Sequence, residues 1–125
     1  MERSGAALAL AEKNREQFGA WNLRLLQGEA PEILAQLPKP DAVFIGGSGG
    51  RMREILRAVS AANPKARVCA AAVALESLHA ACEELEVLGY TVEVTQLAVS
   101  RSRAVGPLHM RTAQNPVYLV LGVRP

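Results

Sequence analysis

Five small residues, Gly46-Gly47-Ser48-Gly49-Gly50, follow the continuously apolar run Ala42-Val43-Phe44-Ile45 and precede a helical pattern. A glycine run between a strand and a helix lets backbone N–H groups and the helix dipole face an anion, or lets a flat ligand approach the chain closely. No Gly-Lys-Ser/Thr follows, so this is not a P-loop, and it misfits the G-x-G-x-x-G fingerprint with its acidic partner about twenty residues on. The plain alternative is a flexible turn that tolerates glycine. A second group comes later: Ser100-Arg101-Ser102-Arg103, then His109 and Arg111, three guanidiniums and an imidazole in one polar stretch. Guanidinium forks suit carboxylates and phosphates, although a solvated loop would have the same composition. His109 has no neighbours at ligand spacing, and His79 lies on a predicted helix with no i+4 partner, so no metal site is expected. Cys69 and Cys82 lack C-x-x-C spacing and read as buried free thiols.

The elements that must hold these groups follow from periodicity. Ser4 is placed to cap a helix reaching about Phe18, with Ala7, Leu8, Ala11 and Phe18 on one face. Asn22 to Gln27 reads as a short strand, and Pro31 opens a brief helix carrying Ile33, Leu34 and Leu37. Ala42 to Ile45 is a strand covered on both faces. Met52, Ile55, Leu56 and Val59 keep the spacing of an amphipathic helix that stops before Asn63-Pro64. Arg67 to Val73 is the next strand, and Leu75, Leu78, Cys82 and Leu85 mark another helical stripe, ended by Gly89. Thr91 to Val99 and Val117 to Val123 are two further strands, separated by a polar stretch of about seventeen residues. Alternation of this kind predicts an α/β layered fold with a mainly parallel sheet.

A chain of 125 residues fits one domain, and its 50% apolar and 21% charged composition is that of an ordinary globular protein. A net charge of +2 gives no reason to expect nucleic acid. No apolar run is long enough to span a bilayer, and the first residues lack a signal peptide's apolar core, so no membrane partner and a cytoplasmic location are expected.

With these segments in place, the chain resembles the family of decarboxylating precorrin-6Y C5,15-methyltransferases and cobalt-precorrin-6B C15-methyltransferases of cobalamin biosynthesis. The matching residues are Gly28-Glu29-Ala30-Pro31, Asp41 through Gly50, Asn63-Pro64, Val99 through Arg103, His109-Met110 and Asn115-Pro116-Val117. The resemblance implies a class I S-adenosylmethionine-dependent methyltransferase fold, a Rossmann-like three-layer sandwich with strand order 3-2-1-4-5-7-6. It implies that residues 1–125 form a partial, N-terminally truncated domain, from the end of strand 2 through strand 7. Family members begin earlier, with a strand and an acidic G-x-G-x-G loop around the cofactor. The losses should leave Asn22–Gln27 and Ala42–Ile45 separated by two strand widths.

Site roles follow from the same resemblance. Glu2 matches the acidic residue on the ribose, Glu29 and Ala30 the adenine end, and Gly46, Gly47 and Ser48 the methionine end of S-adenosylmethionine. Gly49, Gly50, Arg51, Ser100, Arg101, Arg103 and Asn115 are then candidates for binding a precorrin tetrapyrrole, and His109 for moving a proton. The implied reaction is methylation of carbon 15 with decarboxylation of the ring C acetate, by a homo-oligomer, a tetramer in the family. Ala71 and Ala74 stand where members usually carry Asn and Thr, which removes an amide and a helix-capping hydroxyl. A catalytically inactive fragment that keeps a tetrapyrrole-binding or oligomer surface is the alternative reading.

Overall fold

Asn63, buried at the end of a helix, ties its side chain to backbone on both sides: Nδ2 donates to the carbonyl of Pro40 at 2.8 Å, and Oδ1 accepts from the N–H of Lys65 at 3.1 Å. The tie fixes where one α/β unit turns into the next strand. The computed structural model describes residues 1–125, which divide into two units, Met1–Leu37 and Pro38–Pro125.

In the first unit α1 spans Gly5–Gln17, and Ser4 caps it as expected, its hydroxyl accepting from the N–H of Ala7 at 3.3 Å. The anticipated apolar face is not buried. Ala7 is exposed, Phe18 is 76% exposed, and Leu8 and Ala11 are only half-buried. A 3₁₀ turn, Glu32–Gln36, contributes Ile33, the one buried side chain of this unit. Asn22–Gln27 does not form the expected strand. Its sole ladder contact is the parallel bridge between Glu2 and Gln27, held by the Glu2 N–H on the carbonyl of Leu26 and the Gly28 N–H on that of Glu2, each at 3.0 Å. A strand needs a neighbour along its length, and here the neighbour is a single residue.

The second unit contains the sheet. Its strands are β1 (Ala42–Ile45), β2 (Arg67–Ala72), β3 (Thr91–Leu97) and β6 (Val117–Val123), in the order β1-β2-β6-β3. β1 and β2 run parallel, and β6 lies antiparallel between β2 and β3. This is the expected 4-5-7-6 half of the order, with β1 at an edge, and Leu25 and Phe44 are not on paired strands. The supposed loop after β3 is instead a hairpin of β4 (Ser100–Val105) and β5 (Leu108–Ala113), a separate two-stranded sheet. Its side chains alternate, but neither face is buried to mark that alternation as a strand's.

Helices α2 (Met52–Ala62) and α3 (Leu75–Val87) pack on one face of the four-stranded sheet. That face carries Val68, Ala70, Ala72, Val120 and Gly122. Gly122 is where α3 comes closest, since a Cβ there would lie 2.9 Å from a methyl of Leu85. Met52, Ile55, Leu56 and Val59 are all buried, as their spacing predicts. The opposite face, with Phe44 67% and Leu121 37% exposed, carries no helix from this unit. Cys69 and Cys82 are free thiols but only half-buried, and burial pushes the Cys82 thiol up.

Charge also joins α2 to α3. Glu84, 2% exposed, accepts from Arg57 Nε at 2.7 Å and Nη2 at 3.0 Å, with Arg53 Nη1 at 3.5 Å. Arg53 also pairs with Glu83, and His79, expected to lack an i+4 partner, meets Glu83 at 2.8 Å. The hydrogen bond from Arg57 outweighs burial and holds the Glu84 carboxyl below the usual carboxylate range; that from Arg53 does the same for Glu83. Both carboxyls bind a proton less readily folded than unfolded. Their contribution is complete at neutral pH and is lost as pH falls through the ordinary carboxylate range into the lowered one. Glu84→Gln should cost about 2 kcal/mol in urea denaturation at pH 7, below the figure for a pair buried on both sides, because the Arg57 side chain is exposed. The gap should narrow in acid. An equal cost at pH 7 and in acid would show that charge is not what Glu84 contributes.

Candidate active site at the carboxyl edge of the sheet

Register brings the candidate residues of the second unit to one end of the sheet. Ile45 leads from β1 into the glycine run, and Ala72 leads from β2 into α3. Ala72 pairs with Tyr118, and Leu97 pairs with Val117. The base of the hairpin therefore rises from the edge at which β1 and β2 end, and such an edge is where open α/β sheets bind ligands. β1 and β6 stand two strand spacings apart, about 10 Å.

The glycine run turns sharply before α2. Gly49 and Gly50 have φ of +57° and +86°, which a side chain would disfavour. The N–H of Arg51 donates to the carbonyl of Ser48 at 2.9 Å, closing the turn. Around Gly47 and Gly50 the space is open, because a Cβ at either would meet nothing within 4 Å. That room is what a flat or extended ligand needs, so the loop fits the methionine end of a sulfonium cofactor. Arg51 itself sends Nε and Nη2 to Glu54 Oε2, at 2.9 and 2.7 Å, and so meets any ligand already engaged.

The hairpin corrects the reading of its basic residues as one cluster. Arg101 pairs with Thr112, Arg103 with Met110, and Val105 with Leu108, so these six share one face. Ser100, Ser102, Ala104, His109, Arg111 and Ala113 share the other. His109 and Arg111 thus point away from Arg101 and Arg103, and a ligand lying on one face meets two of the three guanidiniums and not the imidazole. Every residue of β4 and β5 is exposed. Asn115 follows the hairpin and is exposed as well.

Glu2, Glu29 and Ala30 belong to the first unit. Glu2 Oε1 accepts from the N–H of Ser4 at 2.8 Å, and Oε2 is left for another donor, as a ribose hydroxyl would require. Glu29 lies 3.5 Å from Arg3, and Ala30 leads into a cis peptide with Pro31. No group of three or more His, Cys, Asp or Glu side chains could hold a metal ion.

The end of β2 and its turn into α3, where Ala71 and Ala74 replace the family's usual Asn and Thr, also lie at this edge. Leu75, assigned by spacing to the helical stripe of α3, is 67% exposed, and the helix buries only Ala81, Glu84 and Leu85 further along. Ala74 caps α3 without a side-chain hydrogen bond, which forgoes about 1 kcal/mol relative to Ser or Thr there.

Comparison with known proteins agrees with this geometry. A family signature described as "Precorrin methyltransferase domain" matches residues 1–123. A protein of Pyrobaculum calidifontis named "Probable cobalt-precorrin-6B C(15)-methyltransferase (decarboxylating)" is 44% identical over 91% of this chain and 59% of its own. The Salmonella typhimurium protein named "Cobalt-precorrin-6B C(15)-methyltransferase (decarboxylating)" is 34% identical over 96% of this chain and 62% of its own. The crystal structure of precorrin-6y C5,15-methyltransferase from Geobacter metallireducens superposes with a TM-score of 0.87 at 38% identity, covering 98% of this chain and 64% of that one. A SAM-dependent O-methyltransferase from Thermotoga maritima, 14% identical with a TM-score of 0.66, shares the fold alone and covers 94% of this chain and 45% of that one. The chain thus spans roughly three fifths of the relatives it matches, its Rossmann-like α/β fold is that of the S-adenosylmethionine-dependent methyltransferases, and it belongs to the precorrin methyltransferase domain family.

Proposed function

We propose that the chain is the substrate-facing part of an enzyme that methylates carbon 15 of a precorrin and decarboxylates its ring C acetate in cobalamin biosynthesis. The observation that carries this reading is that the open glycine loop and the hairpin bearing Arg101 and Arg103 both rise from one sheet edge. Bound S-adenosylmethionine supplies an electrophilic methyl group, so the protein's task is alignment more than acid–base chemistry. Gly46, Gly47 and Ser48 allow close approach of the methionine portion, while Glu2, Glu29 and Ala30 serve the nucleoside. Arg101 and Arg103 hold carboxylates of the tetrapyrrole side chains, each charge-assisted bond contributing about 1.5–3 kcal/mol. The electrons left by departing carbon dioxide enter the conjugated macrocycle, and a proton takes the vacated position.

The test is transfer of labelled methyl from S-adenosylmethionine to precorrin-6B, with or without cobalt, by the chain extended with a strand and glycine loop of the family's kind. Labelled product that has also lost carbon dioxide is expected; a protein that binds both ligands and transfers nothing would overturn the reading.

The hairpin supports the further reading that the protein is a homo-oligomer. An isolated two-stranded ribbon is marginally stable in water, and this one has all twelve strand residues exposed. Further copies of the chain would cover it, and the family resemblance favours four. Light scattering should give several times the 13.3 kDa of one chain; a monomer mass would mean that the hairpin is covered otherwise. No helix is long and apolar enough to cross a membrane.

A further inference from the structure

In the sheet order β2 stands between β1 and β6, so the turn from β2 into α3 lies between the glycine loop and the base of the hairpin. Ala72, Val73, Ala74 and Leu75 line this turn, and no side chain among them can make a hydrogen bond. Ala72 is buried, yet Val73 is 54% and Leu75 67% exposed. The exposure does not come from a loose element, because α3 buries Ala81, Glu84 and Leu85 and is bridged to α2 by the Glu84 pair. Across the turn, at the foot of the hairpin, Leu97 and Val99 are each about half exposed. Four large apolar side chains at one functional edge are a surface that calls for a ligand rather than scattered exposure.

The charges beside this surface narrow the ligand's chemistry. No acidic residue follows Glu93 in the sequence, and Arg101 and Arg103 stand on the adjoining hairpin face. Glu76, in the first turn of α3, is the one carboxylate next to Leu75. The edge is therefore apolar in the middle, cationic toward the hairpin and anionic toward α3. A matching ligand has a flat apolar body with carboxylates directed to one side.

We infer that Val73 and Leu75 form the floor on which the tetrapyrrole macrocycle lies, with its carboxylates turned toward Arg101 and Arg103 and away from Glu76. The inference rests on the tetrapyrrole reading above and adds to it the residues that sense the ring rather than its acidic arms. Apolar contact depends weakly on salt, and guanidinium contact depends on it strongly. The two contributions can therefore be measured apart.

The experiment is a fluorescence titration of the 125-residue chain with uroporphyrin, a polycarboxylate tetrapyrrole, at low and high salt. Leu75→Ser should bind about tenfold more weakly at both salt concentrations, on the scale of one lost apolar side-chain contact. Leu75→Met should restore most of the affinity. Arg103→Ala should instead flatten the dependence on salt. Thermal melting should be nearly unchanged in Leu75→Ser, since that side chain is outside the core. Affinity in Leu75→Ser within about twofold of the unaltered chain overturns the floor and leaves the tetrapyrrole reading standing. Failure of the unaltered chain to bind uroporphyrin overturns the tetrapyrrole reading itself. A drop in the mass seen by light scattering for Leu75→Ser overturns the inference in favour of an interface between copies.

Discussion

Calorimetry of the 125-residue chain with S-adenosylmethionine should show no binding tighter than about millimolar, equivalent to roughly 4 kcal/mol. Three of the candidate cofactor residues, Glu2, Glu29 and Ala30, lie in a unit whose only buried side chain is Ile33 and whose ladder is the single Glu2–Gln27 bridge. Such a unit has little to hold a carboxylate against a ribose. The remaining contribution is the Gly46–Ser48 loop, which offers room and backbone groups but no charged side chain of its own. Nowhere does the sequence contain an acidic G-x-G-x-G. Alignment is also demanding, since a displacement of about 1 Å can cost on the order of a hundredfold in rate. Extending the chain with a strand and loop of that type should recover micromolar affinity and methyl transfer together. Micromolar affinity in the 125 residues alone would mean that the Gly46–Ser48 loop suffices.

In the extended protein, Arg101→Ala or Arg103→Ala should weaken tetrapyrrole binding about tenfold or more and leave S-adenosylmethionine affinity nearly unchanged, on the scale of one lost charge-assisted bond. The hairpin register sharpens this into a comparison. Arg111 is only eight positions from Arg103 but projects from the opposite face, so Arg111→Ala should have little effect on either ligand. Equal losses for both ligands in Arg101→Ala would place that guanidinium on the cofactor instead. A loss in Arg111→Ala as large as in Arg103→Ala would mean that the ligand wraps the ribbon rather than lying on one side.

The parts of the fold legible in the sequence are those whose period is enforced by burial. Met52, Ile55, Leu56 and Val59 had to repeat at helical spacing because all four are buried, whereas Ala42 to Ile45, a strand as its apolar run predicts, is not covered on both faces as expected and buries only Ile45. The hairpin was not legible, because neither of its faces is buried and its period of two therefore has no apolar mark. Asn22–Gln27 failed for the opposite reason: Leu23, Leu25 and the residues around them look like a strand, but a strand is defined by its neighbour, which local sequence does not contain. For the site, glycine spacing located the loop, whereas the separation of His109 from Arg103 needed the register. Leu75 was hidden within a correct helical stripe, since spacing alone does not say which positions of that stripe are buried.

The placement of β6 has a consequence for how the molecule comes to exist. The strand at positions 117–123 lies between β2 and β3, which do not pair with each other. While the polypeptide is being made, β3 has no lateral partner until those residues emerge, and the helix-covered face lacks Val120 and Gly122 at its centre. Pairings at such sequence separation close late, and an unpaired β3 is exposed to association with other chains during that interval. During synthesis the sheet is thus completed from its middle, by a strand made after both of its neighbours, and a pause in translation after β3 has emerged and before β6 has would prolong the most vulnerable stage of the nascent protein.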